Sequence, residues 1–161
     1  MSVLSKIVDV IEENKLQEVS EEERIELKKA IIDRIGCGLA ARKLDIGSNI
    51  ISFYNTISSN KSSTIWGTHI KTETDKAALI NGSISSHIEY DTHDSMIAAA
   101  ISLGEPNEID GNKLIKSLKI GYITGTIIRK LLASELEQRG LHWPANLSAL
   151  NASAACSVIL N

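Results

Sequence analysis

The chain has 161 residues, 43% of them hydrophobic and 23% charged, enough for one compact domain that buries about 68–70% of its unfolded surface. A formal net charge of -3 and scattered basic residues give no electrostatic reason to expect nucleic acid or an anionic membrane as partner. No run approaches the roughly 20 apolar residues of a membrane span, and the N-terminus turns acidic after Ile11 without a signal peptide's apolar stretch, so a cytoplasmic protein is expected.

The dominant period is helical. Val3, Leu4, Ile7, Val8 and Ile11 outline a first amphipathic helix. Ser20 with Glu23 three residues later has the form of a capping box. The helix that it opens carries Ile25, Leu27, Ile31, Ile32, Ile35 and Leu39 toward a core. Gly36 and Gly38 within it cost about 1 kcal/mol each relative to Ala, which predicts close packing of another helix. A third helix is expected over about 48–58, and 59–72 is the only stretch with strand or loop character. Thr74 is expected to cap a helix that buries Ala77, Ile80, Ile84 and Ile88. A short apolar segment follows at 96–104, and Asp110 can cap a long helix through Leu114, Leu118, Ile123 and Ile127. After RGLHWP an Ala/Ser-rich helix runs from about Asn146 to the end in VILN. That apolar end predicts cover by a partner, a second copy or a further domain. Repeats and linkers are absent, so the chain reads as one all-α unit over residues 1–161.

Cys37 and Cys156 are the only cysteines. They form no C-x-x-C motif and read as small buried hydrophobes. Chemistry concentrates in residues 87–94, HIEYDTHD, which hold two of the four histidines. On a helix His87 and Asp91 share one face, as do Glu89 and His93 on another. A helix end near Asp91 to Asp94 would let His93 turn toward a cleft. Three readings stay open on these residues alone: a solvated helix end, a metal site, and general acid/base chemistry. A metal site needs three or four ligands, and His87 with Asp91 supplies two. A histidine beside a carboxylate suits proton transfer near neutral pH. His142 falls between two helices, where functional groups often lie. Lys76 and Arg139 could hold a substrate carboxylate or simply face solvent. Gly121 and Gly125 have the spacing of a close helix contact.

Five segments in order carry a resemblance: IIDRIGCGLAA (31–41), STIWGT (63–68), DKAALINGSISSHIEYDTH (75–93), the G-Y of KIGYITG (119–125) and RGLHWPANLSALNASAACSVIL (139–160). Together they resemble the N-terminal helical part of the MmgE/PrpD family, which includes 2-methylcitrate dehydratases and cis-aconitate decarboxylases. The resemblance implies a helical bundle and a small di- or tricarboxylic acid substrate. It also implies proton abstraction alpha to a carboxylate, without a metal or organic cofactor. Carried over, Asp91, His93 and His142 are the candidate catalytic residues, and Glu89 and Thr92 the candidate substrate-binding ones. The imidazole of His142 is then expected across one hollow from the acidic end of the helix near Asp91.

Departures accompany the match. Family members show two adjacent aspartates where this chain has Asp91 alone. The H-P pair that follows their D-T-H is missing: either His93 matches the D-T-H histidine, or His93-Asp94-Ser95 replaces H-P-S. The resemblance further implies a second, lid-like domain that these residues do not include. Two functions follow as expectations: a lyase component that needs a complementary lid-domain chain or a second copy, or a non-catalytic scaffold kept for dimerisation or binding.

Overall fold

The computed structural model describes residues 3–15, 17–55, 61–88 and 95–161. In chain order the elements are α1 (Val3–Lys15), α2 (Glu21–Ala41), α3 (Asp45–Asn55), β1 (Ser63–Thr64), β2 (Lys71–Thr72), α4 (Thr74–Ser86), α5 (Met96–Gly104), α6 (Gly111–Gln138) and α7 (Trp143–Leu160). The all-α expectation holds, with one two-stranded antiparallel ribbon that pairs Ser63 with Thr72 and Thr64 with Lys71.

Local chemistry sets several helix ends. Glu23 N–H donates to Ser20 Oγ at 3.2 Å and Ser20 N–H donates to Glu23 Oε2 at 2.8 Å, which completes the capping box that starts α2. Asp110 Oδ1 accepts from Lys113 N–H at 2.8 Å and starts α6. At the other end of α6, Gly140 takes φ +72. Its N–H reaches Glu137 O, and Leu141 N–H reaches Leu136 O, both at 2.9 Å. That is a Schellman stop, which glycine makes without steric cost. Thr74 does not cap α4: Glu73 holds the cap position without a side-chain bond. The Thr74 hydroxyl instead joins Ser62 Oγ at 3.2 Å and Ser63 Oγ at 3.0 Å, tying the helix to the ribbon.

Among the described residues, three apolar clusters hold the helices together. The largest gathers Leu27 of α2, Met96, Ile97 and Ala100 of α5, Ile115 and Leu118 of α6, and Ala155 and Ile159 of α7. A second, under the ribbon, joins Ala41, Ile65, Ile80 and Ile84. A third, Ile120 with Ala154 and Val158, receives Ile11 of α1. Each fully buried isoleucine contributes about 1.5–3 kcal/mol. The apolar end of α7 is covered within the chain: Val158 and Ile159 are buried, and Leu160 alone of that end is exposed, at 66%.

α2 departs from expectation. Leu27 is buried, but Ile25, Ile32 and Leu39 are 44%, 72% and 40% exposed. The buried stripe is Leu27, Arg34, Cys37, Gly38 and Ala41, and the exposed one is rotated from it by about 140–200° at 100° per residue. The two glycines differ in the same way. Gly38 abuts the Trp66 ring, which stands 3.0 Å from where a Cβ would lie, and nothing approaches Gly36.

α6 and α7 form an antiparallel hairpin. Gly121 lies against Met96, Ala155 and the Asn151 carbonyl, and Gly125 against the Asn151 side chain. These small residues serve close packing, as their spacing predicts.

Candidate functional site

Residues 89–94, which carry Glu89, Asp91, Thr92 and His93, lie outside the described residues, but both ends of the segment are described. α4 stops at Ser86, and the N–H of His87 closes its last turn on Ile84 O at 3.1 Å. The helix thus ends earlier than the 91–94 range expected. His87 is exposed, and no described helix supports its pairing with Asp91. Downstream, Ser95 opens α5 without a side-chain cap. The Cβ atoms of Ser95 and Ala98 stand 3.8 Å from where a Gly82 Cβ would be. The segment therefore leaves and rejoins the bundle at one corner, where α4 ends and α5 begins.

A buried cation occupies that corner. Arg34 of α2 is wholly enclosed, and its Nη2 donates to Gly82 O at 3.0 Å and to Ser86 Oγ at 2.6 Å. The last turn of a helix carries partial negative charge on its free carbonyls, so a guanidinium there is favourably placed. Its field reaches beyond α4. Burial pushes the Cys37 thiol up, the Asp33 carboxylate adds to that shift, and Arg34 opposes it. Cys37 is buried as expected and Cys156 partly so, its thiol also pushed up by burial. Arg34 is the residue that sequence reasoning missed. The signal was available: it stands seven residues after Leu27 and before Ala41, on the stripe that is buried.

His142 sits at the opposite end of α7. It is the N-cap residue, exposed, with φ -78 and ψ 99, and its side chain makes no capping bond. Its carbonyl accepts from Asn146 N–H at 3.2 Å and from Asn146 Nδ2 at 2.8 Å. Pro144 stands in the first turn of α7, where a missing N–H costs nothing, so the helix begins before the expected Asn146. Met96 meets α7 near Asn151 and Ala155, which lie about 14–20 Å along the helix axis from His142. The reach of the chain from Ser95 back to Asp91 is at most about 14 Å. The described residues do not themselves bring His142 to the corner.

Other candidates are accounted for locally. Lys76 Nζ lies 3.0 Å from Glu73 Oε1, and Arg139 Nη2 lies 2.5 Å from Glu135 Oε1, so each cation is held by a carboxylate one turn away. His69 is exposed at the ribbon's turn, in a cleft with Lys61, Ile70 and Lys71. No helix among the described residues is long and apolar enough to cross a membrane.

Residues 5–161 match the model of the MmgE/PrpD N-terminal domain. The chain belongs to the MmgE/PrpD family. Compared with curated proteins and with solved structures, it has no match. The MmgE/PrpD match spans α1 through α7, and so takes in the Arg34 corner, residues 89–94 and the His142 turn as parts of one family domain.

Proposed function

We propose that this MmgE/PrpD chain is a component of a lyase of the dehydratase, decarboxylase or isomerase type, acting on a small polycarboxylic acid by removing a proton alpha to a carboxylate. Family membership supports the reaction class. The single observation that carries a role for a named residue is the state of His142. It holds an N-cap position, where Ser, Thr, Asp or Asn would satisfy the helix, yet its imidazole makes no cap and faces solvent. A ring free of local bonds is available for proton transfer.

In this reading Asp91 and His142 orient substrate and pass a proton. His93 is the candidate base, Thr92 would donate a hydrogen bond to a substrate carboxylate, and Glu89 belongs to the same substrate-binding segment. Arg34 would act through position: its grip on Gly82 and Ser86 fixes the strand of chain from which the acidic segment departs. A complementary lid-domain chain or a second copy would close the site around the exposed imidazole. Preorganised donors are commonly the largest catalytic contribution, and one missing donor costs about 100- to 1000-fold.

The test is deuterium exchange at the alpha carbon of citrate-like and succinate-like acids in heavy water, followed by NMR, on the chain alone and on the chain mixed with a complementary lid-domain chain. Exchange should be catalysed by the completed site and should be lost in His142→Ala and His93→Ala with the helical circular dichroism unchanged. Exchange that survives both substitutions would show that neither imidazole moves the proton. Binding of the acids without any exchange would favour the scaffold reading.

A further inference from the structure

The turn of the ribbon is fixed by its own hydrogen bonds. Ile65 N–H donates to Ile70 O at 2.9 Å, and Thr68 N–H returns to Ile65 O at 3.1 Å. The Thr68 hydroxyl donates to Ile65 O at 2.8 Å and accepts from Ile70 N–H at 3.0 Å. Gly67 turns the chain at φ +71, a conformation that other residues seldom adopt, with Leu39 and Arg42 packed against it. A cleft of about 390 Å³ opens beside this turn, lined by Lys61, His69, Ile70 and Lys71. Sites for small molecules span roughly 300–1,000 Å³, and three of these four side chains carry nitrogens that donate to an anion. The side chains of Lys61 and His69 have no hydrogen bond or ion pair with the described residues. Lys71 is set in place by Glu105 Oε1 at 2.6 Å, which occupies one of its three N–H groups. Glu105 also accepts from Thr64 N–H at 2.7 Å and Thr64 Oγ1 at 2.6 Å, so its charge is already shared among three donors.

We infer that this cleft binds a small phosphate monoester, through residues that take no part in the acid/base chemistry proposed above. The donors favour phosphate over carboxylate. A planar carboxylate is best matched by the planar fork of arginine, and among the described residues no arginine lines the cleft. Two ammonium groups and an imidazole are separate point donors, and a tetrahedral phosphate accepts from several directions at once. A phosphate monoester carries about -1.5 to -2 charges at neutral pH, which suits a cleft with two lysines. The apolar wall of Ile70 calls for an organic group beyond the phosphate. Because the turn is already fixed, binding orders little backbone. This inference rests on the ribbon and is independent of the role given to His142.

The experiment is titration of the whole chain with phenyl phosphate, followed by isothermal calorimetry and by NMR shifts of the backbone amides. One site of submillimolar affinity is expected, weaker as salt is raised, with the largest shifts in residues 68–71. Lys61→Ala and His69→Ala should each weaken binding roughly tenfold, as loss of one charge-assisted contact does. Both side chains are exposed, so the helical circular dichroism should not change. Lys130→Ala, an exposed lysine on α6, should leave binding as it is. Inorganic phosphate should shift the same amides with lower affinity, and citrate should bind more weakly than phenyl phosphate. No binding at millimolar phenyl phosphate would overturn the inference, and so would binding that survives the Lys61→Ala, His69→Ala double variant. Citrate binding as tightly as phenyl phosphate would overturn the choice of anion, and inorganic phosphate binding as tightly would overturn the organic group.

Discussion

The guanidinium of Arg34 and the carbonyl of Gly82 meet at 3.0 Å between α2 and α4, with both residues buried. This bond, with the one to Ser86 Oγ at 2.6 Å, sets where α4 ends relative to α2.

Replacing Arg34 by Met keeps the volume and removes the donors, leaving the carbonyl and hydroxyl of α4 without that partner. A loss of about 3 kcal/mol is expected. Arg34→Lys should recover only part of it, because an ammonium does not reproduce the fork. Urea denaturation measures both; a loss under about 1 kcal/mol for Arg34→Met would show that the corner does not depend on the cation.

Acid should destabilise the fold through two carboxylates. The hydrogen bond from Lys119 Nζ, at 2.9 Å, is the main reason that the Glu23 carboxyl lies below its usual value, with the Ser20 N–H next. At Glu105 burial pushes upward, and the hydrogen bonds from Lys71 and Thr64 outweigh it, so that carboxyl is lowered too. Folded values below the unfolded value mean stability that is complete above 4.5 and lost as pH falls through the folded value. Thermal melts from neutral to acid pH should show Glu23→Gln less stable at neutrality, with the two curves converging at low pH. Curves that stay parallel would remove Glu23 from this account.

Two glycine substitutions should act in opposite directions. A methyl group at Gly121 would run into the Met96 sulfur and the Ala155 methyl, so Gly121→Ala should cost about 1–3 kcal/mol. Gly36→Ala meets open space within the chain and should stabilise the helix by up to about 1 kcal/mol. Chemical denaturation of the two variants measures both effects, and a loss of stability in Gly36→Ala would contradict the open space.

His142→Asp offers a sharper reading of the α7 turn. A carboxylate at an N-cap accepts from the first-turn amides and complements the helix dipole, so thermal stability should rise by about 1 kcal/mol. Catalysed exchange at the alpha carbon should disappear in the same variant. A more stable protein that keeps full exchange would identify His142 as an ordinary surface residue.

Much of the fold was legible because its signals are local. Ser20 with Glu23, Asp110, and the Gly121 and Gly125 pair declare themselves through spacing, and each performs the expected task. α2 was harder, since it carries apolar residues on two faces. Periodicity reports where isoleucines stand, and it does not report that Leu27 is covered while Ile32 is not. Arg34 escaped notice because a charge on an apolar stripe reads as an interruption, although its partners lie far along the chain at Gly82 and Ser86. α7 starts ahead of its Ala/Ser run because Pro144 is at home in a first helical turn, a weaker signal in the sequence than the run itself. Of the candidate site, the sequence offers His142 and the acidic segment as candidates, but what holds the residues on either side of that segment is tertiary and is visible only in the packing of α4 against α5.

The small ribbon has the last bearing on association. A two-residue strand pair is not stable by itself, and here helices supply what neighbouring strands would. Thr64 N–H and Oγ1 donate to Glu105 at 2.7 and 2.6 Å, Asn81 Nδ2 donates to Thr64 O at 3.0 Å, and Trp66 N–H donates to Asn81 Oδ1 at 3.0 Å. With its amides and carbonyl already saturated by side chains, β1 offers no template on which a foreign strand could grow. Self-assembly of this molecule is thereby steered away from edge-to-edge stacking and toward contacts made by helical surfaces.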